Sequence, residues 1–377
     1  MNNTKFGTIS IIMTCYNTPM DKVEKAITSV INQTYEDLSF IFIDDWSTIN
    51  YRDEFEEKMK SKWTTKRDLE LLHIVHKPQS SADDPIEHNH GHSFCMNWAL
   101  DLVTSIENAP KYVMFVDSDD ELSPCAVKLL MEPMNNDLGI DISVGNYTRD
   151  ERIWQQELKA VSLGNTRSDY KPIELSRYEA LFHLCDPYML PGHKQNNLSI
   201  PLCATWNKIF KLNVFNGVKF PNGKLRDDNF TAHYLIWNAR KISYTPKITY
   251  YYRRGGQLAD SNLYKTYDIV EAHRDRIIFF ERNSLYEMED DVVTKDNFTN
   301  KCMFARAKYN EIFVMLWSYI KFLEHYNGDI SEKNMYFRSF KNTFYANSIM
   351  LLNFDPKFAA FVIEFIEKFE MKLNIGG

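Results

Sequence analysis

Three aspartates lie close together at the end of an apolar run. Asp117, Asp119 and Asp120 directly follow the segment YVMFV. Like charges repel, so carboxylates at this spacing are most readily tolerated beside a cation. Mg²⁺ and Mn²⁺ both suit oxygen ligands, and Mg²⁺ keeps part of its coordination shell for water and phosphates. The cluster predicts a divalent cation that would neutralise a departing nucleoside diphosphate, with a solvated turn or a helix N-cap as the alternative.

Two further aspartate pairs could take part in the same chemistry. Asp44 and Asp45 follow the apolar run LSFIFI. A carboxylate there could accept hydrogen bonds from a base or a ribose, although a turn explains the pair nearly as well. Asp227 and Asp228 lie in the segment FPNGKLRDDNF. They suit a helix N-terminus, where carboxylates complement the dipole, or a general base that takes the proton of an attacking hydroxyl.

Four histidines are further candidates for a site. His88, His90 and His92 alternate along the chain, and in an extended segment they would share one side. They indicate either a transition-metal site or a polar loop over a ligand pocket. His233 lies five residues after Asp228 and could be an additional metal ligand on the same helix.

Apolar and amphipathic segments alternate through the first 150 residues, which predicts strands and helices in series. That order implies parallel strand pairing in an α/β sheet covered on both faces. Ligands bind outside the carboxyl ends of such strands, and polar residues follow three of them directly: Thr14, Tyr16 and Asn17, then the two groups of aspartates. The predicted strands are 8–13, 38–43, 69–75, 112–116 and 140–145, and the predicted helices are 19–32, 50–63, 94–106 and 124–134.

The rest of the chain predicts a change of architecture. Residues 149–170 predict loops or an edge hairpin, 173–185 a helix and 242–252 a strand. From residue 264 the pattern is helical and amphipathic, with candidate helices at 265–283, 298–325, 332–348 and 355–372. We therefore predict a first domain over 1–263, with halves 1–120 and 121–263, and a helical domain over 264–377. The last helices could pack on the first domain, bind an acceptor, form a homodimer or touch a membrane.

Composition narrows the class of protein. The chain has 377 residues, of which 44% are hydrophobic and 25% charged, as in soluble globular proteins. A net charge of −7 argues against a broad nucleic-acid-binding face. No stretch reaches the roughly 20 apolar residues of a membrane span. Six cysteines form no CxxC pair, so we interpret them as reduced thiols in a cytoplasmic protein, compatible with peripheral contact at the inner face of the membrane.

Three segments together resemble glycosyltransferase family 2. The opening TISIIMTCYNTPMDKVEKAITSVINQTYEDLSFIFIDDWST is similar to that family's start, with Tyr16-Asn17, Gln33-Thr34-Tyr35 and Asp44-Asp45-Trp46-Ser47 at the motif positions. YVMFVDSDDELSP resembles its DxD region. WNKIFKLNVFNGVKFPNGKLRDDNFTAHYL resembles its W-N-K, F-P-x-G-K and E-D-x-F block. The resemblance covers about residues 7–255, with the motifs in the family's order.

The resemblance implies a GT-A fold, a nucleotide-sugar donor (UDP-sugar is the expected one), a Mn²⁺ or Mg²⁺ ion and inversion at the sugar. It implies a glycan or polyol-type polymer as acceptor, by analogy with bacterial surface polysaccharides. Carried over by position, Asp228 is the catalytic base, and Asp227 replaces the usual Glu. Thr14, Tyr16 and Asp45 would bind the nucleobase, with Asn17 beside them. Asp117 and Asp119 would bind the ribose and diphosphate, and Asp119 or Asp120 the metal. Trp206 and Asn207 would lie near the sugars, and Arg253 and Arg254 near the diphosphate.

Two positions depart from the family pattern. Met96 stands where the family often has an Arg that contacts the nucleotide, so that contact is either missing or supplied elsewhere. Trp46 replaces the usual Gly of D-D-G-S, and its ring could stack on the ligand or cap the pocket.

Two other functions are open to a chain of this pattern. A non-catalytic sugar-nucleotide-binding module would be expected to have lost one of the acidic motifs, and all of them are present. A nucleotidyltransferase would want a glycine-rich basic loop after the first strand. Thr14-Cys15-Tyr16-Asn17 stands there instead, so this function is the least favoured.

Overall fold

The computed structural model describes residues 8–51, 53–55, 72–76, 90–105, 108–164, 171–185, 198–253, 267–283, 285 and 300–375. They form two compact units, one within residues 1–259 and one comprising 260–377 with residues 185–187. The predicted boundary between residues 263 and 264 falls outside the described residues and stays a prediction.

In the first unit, nine strands of the described residues form one sheet between helices. The strands are β1 (Ile9–Cys15), β2 (Leu38–Asp44), β3 (Leu72–His76), β4 (Tyr112–Phe115), β5 (Glu121–Leu122), β6 (Ile140–Thr148), β7 (Ile173–Ser176), β8 (Lys208–Lys211) and β9 (Lys241–Tyr251). The helices are α1 (Met20–Ile31), α2 (His92–Thr104), α3 (Ala126–Asn136), α4 (Glu151–Ser162), α5 (Arg177–Cys185), α6 (Ser199–Cys203) and α7 (Asp227–Asn238).

The strand order is β3-β2-β1-β4-β8-β6-β9-β5, with β7 also paired to β9. Strands β1 to β4 pair in parallel, as predicted. β8 was not predicted. It lies antiparallel between β4 and β6 and so separates two strands that were expected to continue one parallel series. The sheet is therefore mixed, with parallel pairing across β3, β2, β1 and β4 and between β6 and β9, and the predicted α/β class is confirmed.

Burial follows the sequence pattern at the amino-terminal strands. Every residue of β2 is buried, and so are all residues of β1 except Thr14. In α1 the buried residues are the predicted apolar face, Val23, Ala26, Ile27, Val30 and Ile31. Each apolar side chain buried in this way stabilises the folded state by roughly 1.5–3 kcal/mol. The packing of α1 on β1 and β2 therefore holds in place the edge of the sheet from which the polar loops emerge.

Two predictions for residues 149–185 were wrong. Residues 151–162 form α4 rather than loops or a hairpin, because Asp150 caps the helix by accepting a hydrogen bond from the backbone N–H of Arg152 at 2.8 Å. Residues 173–176 form β7 on β9 rather than the start of a helix. The helix begins only at Arg177, where Ser176 and Glu179 exchange side-chain-to-backbone hydrogen bonds of 2.8 and 3.2 Å in a capping box.

The second unit is helical, as the sequence predicted. Its helices are α8 (Asp268–Arg282), α9 (Asn300–His325), α10 (Ile330–Phe354) and α11 (Pro356–Ile375). They enclose a separate apolar core that includes Leu316, Ile320, Phe340 and Val362. Among the described residues, no helix combines the length and the apolar character that crossing a bilayer would demand.

Candidate active site

The site begins at three neighbouring strand ends. Strands β1 and β2 run in parallel register, with Cys15 opposite Asp44, and β4 continues on the other side of β1. The segments that follow these strands therefore emerge at one edge of the sheet, as the sequence predicted from alternation alone. Thr14 lies within β1, partly buried, opposite Ile43.

Asn17 joins the loop after β1 to the loop after β2. Its side-chain carbonyl accepts hydrogen bonds from the backbone N–H of Thr48 at 2.7 Å and from its hydroxyl at 2.9 Å. Its backbone N–H donates to the Ser47 hydroxyl at 2.8 Å. The rings of Tyr16 and Trp46 are both more than a third exposed beside this contact. The loops thus present two aromatic faces at the position predicted for a nucleobase.

The backbone explains why the family motif has glycine where this chain has Trp46. Trp46 adopts φ 62°, in the left-handed region that glycine reaches without a steric penalty. A bulky residue there carries strain. Trp46 therefore adopts the loop conformation that glycine would adopt, and its indole ring is present at some cost in the stability of the fold.

Asp45 is buried and its carboxylate organises the approach to α2. It accepts hydrogen bonds from the backbone N–H of His90 at 3.1 and 3.2 Å and from that of Gly91 at 2.9 Å. The His90 ring nitrogen lies 4.0 Å from the same carboxylate. A carboxylate oxygen has two lone pairs, so these contacts leave acceptor capacity for the predicted nucleobase contact.

The Asp117–Asp120 cluster follows β4. Asp117 and Asp119 are partly exposed, whereas Asp120 is buried and accepts a hydrogen bond from the backbone N–H of Arg253 at 2.8 Å. Burial, and then the neighbouring carboxylates, raise the pKa of Asp117 to about 7 and that of Asp120 well above its ordinary value. Burial also raises the pKa of Asp119. A bound cation would relieve this repulsion, and Asp119 is the more accessible of the two predicted metal ligands.

Arg253, predicted to lie near the diphosphate, has its side chain engaged with neighbouring residues. Its guanidinium forms an ion pair with Glu121 and lies 5.4 Å from the centre of the Tyr251 ring. Contact with a diphosphate would require this side chain to leave Glu121. Arg254 lies outside the described residues.

Trp206 stands in an aromatic cluster next to the acidic one. It stacks on Tyr250 at 4.8 Å and on Tyr252 at 5.2 Å between ring centres, with Tyr147 edge-on. Tyr250 in turn accepts a hydrogen bond from the backbone N–H of Asp117 at 3.1 Å. The cluster therefore ties Trp206 to the end of β4 and offers a partly exposed apolar ring surface.

Asn207 sets the backbone beside this cluster. It has φ 58°, and its side chain donates to the Asn146 carbonyl at 3.0 Å and accepts from the Thr249 hydroxyl at 2.8 Å. Gly145 is required opposite, because a Cβ there would lie 2.0 Å from the Thr249 hydroxyl. Asn207 therefore acts on the site through the backbone that carries Trp206.

Asp227 and Asp228 open α7 and have different surroundings. Asp227 is buried and accepts a hydrogen bond from the Ser93 hydroxyl at 2.8 Å, and it pairs with the His92 ring nitrogen Nδ1 at 2.9 Å. Asp228 is partly exposed, and one of its oxygens, Oδ1, accepts hydrogen bonds from the backbone and side chain of Asn229 at 2.9 and 3.0 Å.

The electrostatics of the two aspartates differ accordingly. Burial and the charge of Asp227 raise the pKa of Asp228, which makes it a stronger base. Burial acts against ionisation of Asp227 too, but His92 and Ser93 lower its pKa overall. The pair thus combines a carboxylate whose charge is favoured by its partners with a carboxylate suited to accept a proton.

His92 links the two acidic groups. Burial disfavours its cation, but the charges of Asp227, Asp117 and Asp228 raise the pKa of His92 to about 9. Asp117 after β4 and the two aspartates that open α7 therefore lie within electrostatic reach of His92. Sequence reasoning placed His92 in a polar loop and missed this pairing, because no local signal joins residues 135 positions apart.

The histidines do not assemble a transition-metal site in the described part of the chain. His90 packs on Phe94 at 4.9 Å between ring centres, while His92 pairs with Asp227. His233 is fully buried, next to Tyr234, and His88 lies outside the described residues. Within the described ranges, no three His, Cys, Asp or Glu side chains converge on a metal position. A divalent ion at Asp119 would take its other ligands from water and phosphate, as Mg²⁺ often does.

Comparison with known proteins finds a matching family model and similar glycosyltransferases. Residues 10–190 match the model for glycosyl transferase family 2. Glycosyltransferase GlyA of Streptococcus pneumoniae is 26% identical over 255 residues, which are 67% of this chain and 31% of GlyA. Glycosyltransferase GlyG of the same organism is 25% identical over 277 residues, 71% of this chain and 79% of GlyG. The chain thus spans about a third of the length of GlyA.

The fold has a solved counterpart. S. aureus TarS 1–349, in complex with UDP-GlcNAc, superposes with a TM-score of 0.52 at 15% identity, covering 89% of this chain and 81% of that one. At this identity the likeness shows the fold alone.

Proposed function

We propose that the chain, whose residues 10–190 match the model for glycosyl transferase family 2, transfers a sugar from a nucleotide-diphosphate sugar, a UDP-sugar first, to a hydroxyl of a glycan or polyol-type polymer. Asp228 is the general base, and the configuration at the sugar carbon is inverted. The observation that carries the proposal is that His92 lies 2.9 Å from Asp227 at the start of α7 and within electrostatic reach of Asp117 after β4.

The reaction uses the two groups differently. The acceptor hydroxyl gives its proton to Asp228 while its oxygen attacks the anomeric carbon. The bond from that carbon to the phosphate oxygen breaks, and the nucleoside diphosphate leaves. Since Oδ1 of Asp228 already accepts two hydrogen bonds from Asn229, Oδ2 is the atom that takes the proton.

The donor would lie along the sheet edge. Tyr16, Trp46 and Asp45 would hold the nucleobase, and Asp117 and Asp119 the ribose and diphosphate. A Mn²⁺ or Mg²⁺ ion at Asp119 supplies positive charge to the leaving diphosphate when it is bound. Trp206, partly exposed on its tyrosine partners, offers an apolar face to a sugar ring.

Asp228→Asn tests the proposal. General-base catalysis contributes about 10²–10⁴-fold, so we expect transfer to fall by at least a hundredfold while nucleotide affinity is kept. Transfer would be measured as release of nucleoside diphosphate, and affinity by thermal shift with Mn²⁺ and a panel of nucleotide sugars, because a ligand of the native state stabilises it. The matched control is Asp101→Asn on α2, whose carboxylate pairs with exposed Lys219.

The outcomes separate the alternatives. Transfer by Asp228→Asn at the parent rate would exclude Asp228 as base. Binding of a nucleotide sugar by the parent protein without any transfer or hydrolysis would support the non-catalytic binding module instead.

Cytoplasmic location, peripheral contact with the inner face of the membrane and a homodimer through the C-terminal helices belong to the proposal as well. Among the described residues, five cysteines are free thiols. Cell fractionation tests the location, and light scattering on the purified chain tests the dimer. A purely monomeric protein would exclude the homodimer.

A further inference from the structure

His92 is held in one orientation by a buried carboxylate. Its Nδ1 lies 2.9 Å from the Asp227 carboxylate, which is 10% exposed, whereas the His92 side chain is 43% exposed. The second ring nitrogen, Nε2, takes no part in this contact with Asp227. When one nitrogen of a histidine is fixed in this way, the other is presented in a defined direction.

The surroundings of His92 carry the opposite charge. At the end of β4, the charge of His92 lowers the pKa of Asp117, against the effects of burial and of three other aspartates. Other cations act on other carboxylates of the site. Lys22 and Arg253 lower the pKa of Asp119, and Arg226 lowers that of Asp228. His92 is thus the cation that bears on both Asp117 and Asp227.

Two basic residues nearer the strands are already engaged. Arg253 pairs with Glu121, and Lys208 is buried and donates to the carbonyls of Leu202 and Ala204. Burial also lowers the pKa of Lys208 to about 7, so its charge is partly lost at neutral pH. Either residue would have to give up a present contact before its charged group could bind a ligand.

A diphosphate entering between the carboxylates after β4 and those of α7 would need a donor of positive charge. Resting on the function proposed above, we propose that His92 is a donor-binding residue, whose Nε2–H donates a hydrogen bond to an anionic oxygen of the donor diphosphate while Asp227 holds the ring. Asp227 keeps the imidazole charged and oriented, and the charge reaches the ligand through the other nitrogen. A charge-assisted hydrogen bond to phosphate is stronger than a neutral one.

Two substitutions separate this role from a purely structural one. In His92→Asn the amide occupies the place of Nδ1, so the bond to Asp227 is kept and the Nε2 donor is lost. In His92→Gln the amide reaches about as far as Nε2, so part of the ligand contact returns. His325→Asn is the matched control, because His325 is an exposed histidine at the end of α9 in the other unit, with its Nδ1 at 2.8 Å from the Lys321 carbonyl.

The measurement is the affinity of the full chain for UDP and GDP, each with MnCl₂, by isothermal titration calorimetry. For the nucleotide that the parent protein binds, we expect His92→Asn to bind about 10- to 100-fold more weakly, His92→Gln to fall between the two, and His325→Asn to match the parent. Without nucleotide, the melting temperatures of His92→Asn and His92→Gln should fall by similar amounts at neutral pH, because both variants lose the charge that pairs with Asp227.

Each outcome has one meaning. Equal nucleotide affinities of the parent and His92→Asn overturn the role of His92 and leave the proposed function intact. A parent protein that binds neither nucleotide overturns the proposed function and the role of His92 with it. Equal losses of affinity in His92→Asn and His92→Gln would show that the histidine only supports the fold, because only the Gln amide reaches the position of Nε2.

Discussion

At the scale of single residues, some side chains of the site stabilise its loops through hydrogen bonds, and others are exposed enough to contact a ligand. Asn17 and Asp45 have their side chains in hydrogen bonds to neighbouring loops, so they set the shape of the pocket even before a donor is considered. Asp119 and Asp228 are partly exposed and carry raised pKa values. The residues proposed for chemistry are thus the ones whose charge the fold leaves incompletely compensated.

Trp46 offers a prediction at this scale. Because Trp46 has φ 62°, Trp46→Gly should relieve left-handed strain of about 1 kcal/mol, and so raise the free energy of unfolding measured in urea. Trp46→Ala is the control, since it removes the same ring but keeps the Cβ. If the glycine variant is no more stable than the alanine variant, the backbone at residue 46 is not strained.

At the scale of elements, the pattern of apolar residues predicts the long buried strands and helices, but it does not predict capped polar helices or short strands. The predicted α1 and the first two strands agree with the structure because each is a strong local pattern of buried residues. Helix α4 was missed because its charged sequence buries one residue of its own, Trp154, which stacks on Tyr251. β8 was missed because its four residues acquire a strand conformation only between β4 and β6.

The cap of α4 is testable. Asp150→Ala should lower the free energy of unfolding by about 1 kcal/mol, because the N-terminal N–H of Arg152 loses its acceptor. Asp150→Asn should cost little, since Asn caps about as well as Asp. Urea denaturation of the three proteins measures both effects. Equal losses in the two variants would point to the charge of Asp150 rather than to the cap.

The contact between α2 and α7 predicts a pH dependence. The pKa of His92 is raised to about 9 in the folded protein, above the ordinary value of 6.5. A group with a raised pKa stabilises the fold fully below its unfolded pKa, and the contribution is lost as pH rises through its folded pKa. The stability difference between the parent and His92→Asn should therefore shrink from pH 6.5 to above pH 9, as followed by urea denaturation. A difference that stays constant over this range would contradict a charged His92.

At the scale of the whole molecule, the chain builds two separate apolar cores, one in each unit. The second unit also contains a buried charged group. In the second unit, Glu311 accepts from Arg276 at 2.9 Å and pairs with His273 at 2.6 Å. Although burial opposes its charge, these partners lower the pKa of Glu311 to about 2.

Removing the charge of Glu311 should destabilise the helical unit. Glu311→Gln leaves Arg276 buried without its charged partner, so we expect a loss of about 3–5 kcal/mol in the free energy of unfolding. Glu281→Gln is the control, because Glu281 pairs with Lys308 at 3.2 Å while half exposed, and surface pairs contribute only about 0–1 kcal/mol. Circular dichroism during urea unfolding reports the helices, and equal losses in the two variants would exclude a structural role for the buried group.

The sequence by itself determined the fold class and the edge of the sheet where the site lies. Strand and helix patterns are local, and parallel strands bring their carboxyl ends to one edge, so Asp45, Asp117 and Asp119 could be placed from their distance to a strand end. The tertiary structure decided which side chains meet there. His92 pairs with Asp227, and Arg253 turns to Glu121, because these contacts depend on how distant elements pack, and a local pattern of residue types carries no information on that packing.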